Sequence, residues 1–165
     1  MKSPHLLRAS GNVRRLKENL VNVVDGVAIN AIEAEICTNV AQLFALGRSH
    51  YSFAVRQDNR FWRQKVSRLY YGAYNVSRAV RLFVNGEYSV DAADHKKIDA
   101  LPDNFPNKNT YANRLTVLGE DRNLCDYDHT AGRRDLVLEV EEASQLVADF
   151  VRDARAYLKQ RGVKT

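Results

Sequence analysis

Val66-Ser67-Arg68-Leu69-Tyr70-Tyr71-Gly72-Ala73-Tyr74-Asn75-Val76-Ser77-Arg78-Ala79-Val80-Arg81-Leu82-Phe83 places Val66, Leu69, Tyr70, Ala73, Val76, Val80 and Phe83 at intervals of three and four. That spacing gathers the apolar side chains on one stripe of an α-helix, and Asn85-Gly86 supplies its stop. The same period runs outward in both directions. Upstream, Ile29, Ile32, Ile36, Val40, Leu43 and Phe44 predict a helix from about Val27 to Leu46, pausing at Gly47 and resuming towards Val55. Before it, Val13, Leu16, Leu20 and Val24 line a short basic helix that ends at Asp25-Gly26. Downstream, Asp91 is placed to cap a short helix through Ile98, and the Pro/Asn-rich stretch Leu101–Asn107 reads as a loop. A third long helix starts near Asn109, turns Tyr111, Leu115 and Leu118 inwards and reaches about Leu124. Asp126–Gly132 reads as a tight connection. The last helix, from about Arg134 to Arg161, carries Leu136, Val140, Ala143, Val147, Phe150, Ala154 and Leu158 on one face. No stretch sustains strand alternation. The expectation is an all-α, up-and-down bundle of four or five helices, residues 27–165, preceded by a basic N-terminal extension, residues 1–26.

A chain of 165 residues is long enough to bury one core. No apolar run approaches the roughly 18 residues of a membrane span, and the opening Met1-Lys2-Ser3-Pro4-His5 lacks the apolar stretch of a secretory signal. Cys37 and Cys125 are too few and too far apart for a disulfide framework or a cysteine-based zinc site. The expected compartment is a reducing cytoplasm. No His/Asp/Glu set has close helical metal spacing, no Gly-rich phosphate loop exists, and Ser67 and Ser77 lack a neighbouring base. Metal sites, bound cofactors, P-loop chemistry and hydrolase triads are therefore not expected.

The net charge of +5 is unevenly distributed. Residues 1–24 hold Lys2, Arg8, Arg14, Arg15 and Lys17 against Glu18, a net of +4. Residues 56–81 hold Arg56, Arg60, Arg63, Lys65, Arg68, Arg78 and Arg81 against Asp58, a net of +6. Interleaved Phe61, Trp62, Tyr70, Tyr71 and Tyr74 allow two readings: an RNA-tracking face that stacks bases, or a solvated basic face backed by core aromatics. The aromatics are read as core, while both readings stay open for the charges.

Near the end of the third long helix lies Arg122-Asn123-Leu124-Cys125-Asp126-Tyr127-Asp128-His129. Imidazole takes and gives protons near neutral pH, and guanidinium matches phosphate oxygens in a fork. Together they suit RNA cleavage through the 2′-hydroxyl. A solvated Arg and a helix-capping His are the plain alternative.

Four stretches in fixed order resemble the HEPN family of helical domains: Gly47–Ala54, Arg68–Ala79, Asp94-His95-Lys96-Lys97, and Arg122–Asp128. The resemblance spans about residues 35–161 and does not extend to residues 1–34. It implies a metal-independent endoribonuclease, a toxin or defence component, with Arg122, Asn123 and His129 as catalytic residues. It also implies a homodimer whose two Arg/His pairs share a cleft, and a nucleotidyltransferase partner acting as antitoxin. Arg60, Arg63, Arg68, Lys96 and Lys97 are the candidate RNA contacts; Asp126, Tyr127 and His95 are supporting residues. His95 itself is read as a surface residue packing over the central loop. The rival expectation is a non-catalytic nucleotide- or partner-binding module in which Arg122 and Asp126-Tyr127 tie the third and fourth long helices together.

Overall fold

The computed structural model describes residues 5–165; Lys2, one of the N-terminal bases, lies outside them. The chain is all-α. Two short helices, α1 (His5–Ser10) and α2 (Val13–Leu20), precede four long ones: α3 (Gly26–Val55), α4 (Trp62–Asn85), α5 (Lys108–Tyr127) and α6 (Val140–Lys159). Side-chain capping sets two of the starts. Asn12 accepts from the Arg15 amide (2.9 Å) and Asp25 from the Ala28 amide (2.8 Å), each satisfying an N–H that a first turn leaves without an intrahelical partner.

α4 is the central helix and packs against α3, α5 and α6. Its residues from Gly72 to Ser77 are buried without a break, so this stretch has no solvent face. The polar members are internally satisfied: the Asn75 amide donates to Tyr71 O (2.8 Å) and the Ser77 hydroxyl to Ile98 O (2.8 Å). Around α4, Ile36, Val40 and Phe44 from α3, Leu115 and Leu118 from α5, and Val147, Phe150 and Leu158 from α6 close one core. α3 crosses α4 at Gly47 and Gly72. A Cβ on Gly47 would stand 2.7 Å from Gly72 O, so the close approach requires glycine.

Several expected boundaries move, each for an identifiable reason. The N-terminal stripe forms α2 from Val13 but ends at Leu20, so Val24 falls beyond it, and a further short helix, α1, precedes it across Gly11 at φ +61°. The segment packs on the bundle: Leu7 and Val13 are core residues, Arg14 Nε donates to Phe83 O (2.9 Å), and Arg14 and Lys17 both pair with Glu33 (2.9 and 2.7 Å). Gly86, at φ +69°, ends α4 and receives Val13 N–H on its carbonyl (3.0 Å). α3 runs through Gly47 without a pause. The segment after Asp91 is a 3₁₀ helix, Ala92–Lys97, and Asp91 makes no side-chain cap there. α5 continues to Tyr127, past the expected Leu124. α6 starts at Val140 rather than near Arg134, because the buried Asp121 carboxylate accepts the amides of Val137 (2.8 Å) and Leu138 (2.9 Å) and holds that segment extended.

Among the described residues no helix is long and apolar enough to cross a membrane. Cys37 and Cys125 are both free, and burial pushes the Cys125 thiol up to about 12.

Candidate functional site

Arg122 lies on the face of α5 that meets α4. Its Nη2 donates to the Tyr71 hydroxyl (2.7 Å) and its Nη1 to Asn123 Oδ1 (3.0 Å), while Nε stands 2.8 Å from Asp126 Oδ2 one turn on. The rings of Tyr70, Tyr71 and Tyr127 surround the guanidinium at 5.5, 5.3 and 5.2 Å, within cation–π range. Only 13% of the side chain is exposed, yet the second hydrogen of each terminal nitrogen has no partner in these bonds. The exposed edge opens on a cleft of about 190 Å³ lined by Tyr70, His95, Lys96, Glu120, Arg122 and Asn123.

His95 enters that cleft because its neighbour is nailed to α4. Asp94 is 4% exposed and takes a two-point bond from the equally buried Arg81 (3.0 and 2.9 Å). Tyr74 donates a hydroxyl to the same carboxylate (2.9 Å), and Arg78 Nε lies 3.6 Å away. Burial opposes the charge on Asp94, but Arg81, Tyr74 and Arg78 hold its carboxyl below the ordinary 3.8. The adjacent imidazole then stacks on Tyr74 at 4.2 Å, with the Tyr70 hydroxyl 3.1 Å from Nδ1. Burial, followed by repulsion from Arg122, pushes the imidazole below its ordinary 6.5 despite the attraction of Asp94. His95 is therefore half-buried in the site, where a surface position was expected.

His129 is placed differently. Two helical turns would have set it on the face of Arg122, but α5 ends at Tyr127 and Asp128 turns extended (φ −95°, ψ 103°). The imidazole is exposed in the connecting loop. Arg63 fixes that loop: its guanidinium donates to the carbonyls of Cys125 (2.9 Å), Asp128 (2.7 Å) and Ala131. It thereby satisfies carbonyls that a helix end leaves open, at the negative end of the α5 dipole. The chain thus brings together Arg122, Asn123, Asp126, Tyr127, His95 and Lys96, and leaves His129 on the neighbouring loop.

The candidate RNA contacts divide in the same way. Arg60 and Arg68 are exposed, stacked over Phe61 and Phe53 respectively. Lys96 is exposed at the cleft, and Lys97 is exposed with Glu87 at 3.6 Å. Arg63 is occupied by backbone carbonyls. Of the other bases in the stretch, Arg81 is buried on Asp94, and Lys65 is buried with its ammonium on Asn59 Oδ1 (2.6 Å). The aromatics follow the core reading for Tyr70 and Tyr74, while Trp62 and Tyr71 are partly buried and Phe61 is exposed. Among the described residues no group of His, Cys, Asp and Glu side chains is arranged to hold a metal ion.

Comparison with protein-family models, with curated proteins and with solved structures finds no match.

Proposed function

We propose that the chain is a metal-independent endoribonuclease of HEPN type, acting as a homodimer on RNA. The observation that carries the reading is the convergence of Arg122, Asn123, Lys96 and His95 on one cationic, aromatic-backed cleft. The unbonded guanidinium hydrogens and the Lys96 ammonium would hold the scissile phosphate and stabilise the charge that builds on it during attack by the 2′-hydroxyl. Asn123 would orient the guanidinium or the phosphate. His129, on a loop held by Arg63, is exposed enough to reach a cleft shared between two subunits and to act there as general base or acid. The likeness to HEPN toxins makes a cytoplasmic toxin or defence role, countered by a nucleotidyltransferase, part of the same proposal.

One observation favours the rival, a non-catalytic nucleotide- or partner-binding module. Arg122 already hydrogen-bonds Tyr71 on α4 and Asn123 on α5 and pairs with Asp126 by charge, and a guanidinium so engaged also serves as a tie between helices.

Purified protein separates the two. The ribonuclease reading expects a dimer by light scattering at micromolar concentration. It expects cleavage that persists in excess EDTA and leaves a 2′,3′-cyclic phosphate. His129→Ala should lower that cleavage by about a hundredfold or more, with little change in melting because the loop side chain buries little surface. A monomer would remove the shared cleft. A dimer that cuts no RNA would leave the module reading.

A further inference from the structure

The Arg122 cleft already contains an imidazole within the same subunit, held more rigidly than the one on the loop. We propose that His95 is a second proton-transfer residue of the site, the general base beside Arg122, with His129 keeping the role of acid; the assignment rests on the ribonuclease reading. Three features of the geometry support it.

The first is position. His95, Lys96, Arg122 and Asn123 line one cleft, and Tyr71 links the two ends. Its hydroxyl accepts from Arg122 (2.7 Å), and its ring meets His95 edge-on at 5.8 Å. A phosphate on the guanidinium would present its flanking 2′-hydroxyl to the cleft that the imidazole lines.

The second is rigidity. The two-point bond of Arg81 to Asp94 anchors the 3₁₀ turn, and the Tyr74 stack at 4.2 Å sets the ring plane.

The third is the tautomer. The Tyr70 hydroxyl is 3.1 Å from His95 Nδ1 and 3.3 Å from the His95 carbonyl oxygen. It has one proton to give. Given to the carbonyl, it lets Nδ1–H donate to the phenol oxygen and leaves the Nε2 lone pair as a base. The imidazolium that forms when Nε2 takes a proton keeps Nδ1–H, so the same hydroxyl orientation serves both the base and its conjugate acid. The ring therefore need not move between the two states.

In the step, Nε2 takes the 2′-hydroxyl proton as the O2′–P bond forms and the P–O5′ bond breaks. The leaving 5′ oxygen takes its proton from His129, which is recharged from solvent, and the His95 imidazolium returns its own to solvent. The products are a 2′,3′-cyclic phosphate and a 5′-hydroxyl. No oxidant or metal is required for this balance.

Charge sets the pH at which the base is ready. Tyr70, Tyr71, Tyr74 and Arg78 face the ring from α4 and Arg122 faces it from α5; Asp94 and Lys96 flank it in the chain, and Glu120 shares the cleft. Burial and the two arginines outweigh Asp94, so the ring sheds its proton below the ordinary histidine range.

The experiment is single-turnover RNA cleavage from pH 4.5 to 8 by the parent, His95→Gln, His95→Ala and His129→Ala, with RNA binding and melting measured alongside. The proposal expects the parent rate to rise with pH through a value below the free-histidine value of about 6.5. It expects His95→Gln to lose about a hundredfold or more, to lose that rise, and to bind RNA as the parent does. Added imidazole should restore His95→Ala, and His129→Ala should lower the rate while keeping the rise with pH; a His129→Ala that loses the rise would make His129 the base and overturn the proposal. If His95→Gln cuts as fast as the parent with the rise intact, the proposal is wrong and the ribonuclease reading survives. Loss of cleavage accompanied by lower melting, with no imidazole rescue, would make His95 structural and also overturn it. A parent that cuts no RNA overturns both.

Discussion

Asp94 shows how a charged tetrapeptide becomes part of a core. In Asp94-His95-Lys96-Lys97 the sequence signals only polarity, and nothing local marks the first residue as buried. Its partner Arg81 lies 13 positions away on α4, and an arginine inside a basic stretch is read as solvated unless the fold supplies a carboxylate. Their side chains are 2% and 3% exposed, so each charge has the other as its main partner. Arg81→Met should lower stability by about 3 kcal/mol, the order of cost for leaving a buried charge without its main partner, with Arg78 retaining part of the attraction. The sign with pH follows from the depressed carboxyl of Asp94. A group with a folded value below 3.8 contributes stability above the unfolded value and loses it as pH falls through the folded one. Removing Arg81 raises that folded value, so the acid-unfolding midpoint should move to higher pH, as followed by helical circular dichroism. An unmoved midpoint would mean that Tyr74 and Arg78 suffice. The same distance effect hid His95: its exposure is decided by Tyr70, Tyr74 and Asp94 together, and only the last is its neighbour in the chain.

At the scale of elements, helix existence was legible from apolar period alone, because each long helix turns one stripe to a shared core. Ends were legible where a residue acts on its own backbone, as Asp25 does at the start of α3 and Gly86 at the end of α4. They were misplaced where a remote side chain does the work. Arg63 extends α5 by satisfying its last carbonyls from another helix, and Asp121 delays α6 by taking amides that would otherwise start it. Gly47 read as a pause, since glycine weakens a helix interior; its actual role is spatial. With Gly72 O and Val76 Cγ2 each 2.7 Å from a would-be Cβ, Gly47→Ala must push α3 off α4. Overpacking of this kind costs about 1–3 kcal/mol, more than the propensity gain of about 1 kcal/mol from replacing a mid-helix glycine. Urea unfolding should therefore show a lower midpoint for Gly47→Ala, whereas Gly26→Ala, with nothing within 4 Å of its Cβ, should not lose stability. A stabilised Gly47→Ala would mean that the α3–α4 crossing can open without cost.

For the whole molecule, composition announces a basic chain, but the fold spends much of that charge internally. Arg63, Lys65, Arg78 and Arg81 hold carbonyls, an amide oxygen and Asp94, while Arg14 and Lys17 hold Glu33. Counting bases along the sequence cannot separate these from charges that face solvent, because the distinction lies in contacts between helices. Arg60, Arg68, Lys96 and Lys97 remain exposed. If RNA follows them to the Arg122 cleft, binding should weaken with salt as counterions return to the freed phosphates, with a slope of about −0.7 per contacted phosphate on a single strand. Arg68→Glu and Lys96→Glu should each lower affinity and flatten that slope by about one phosphate contact, at unchanged melting, since neither side chain is buried. Arg63→Glu belongs to the other class: it removes the cap of α5 and places a carboxylate against carbonyl oxygens, so its melting temperature should drop before any binding is measured. The decisive comparison is of slopes in titrations from 50 to 300 mM KCl. A slope near zero for the parent, or one untouched by Arg68→Glu and Lys96→Glu together, would mean that the exposed bases solvate the bundle and that RNA does not reach the cleft along this face.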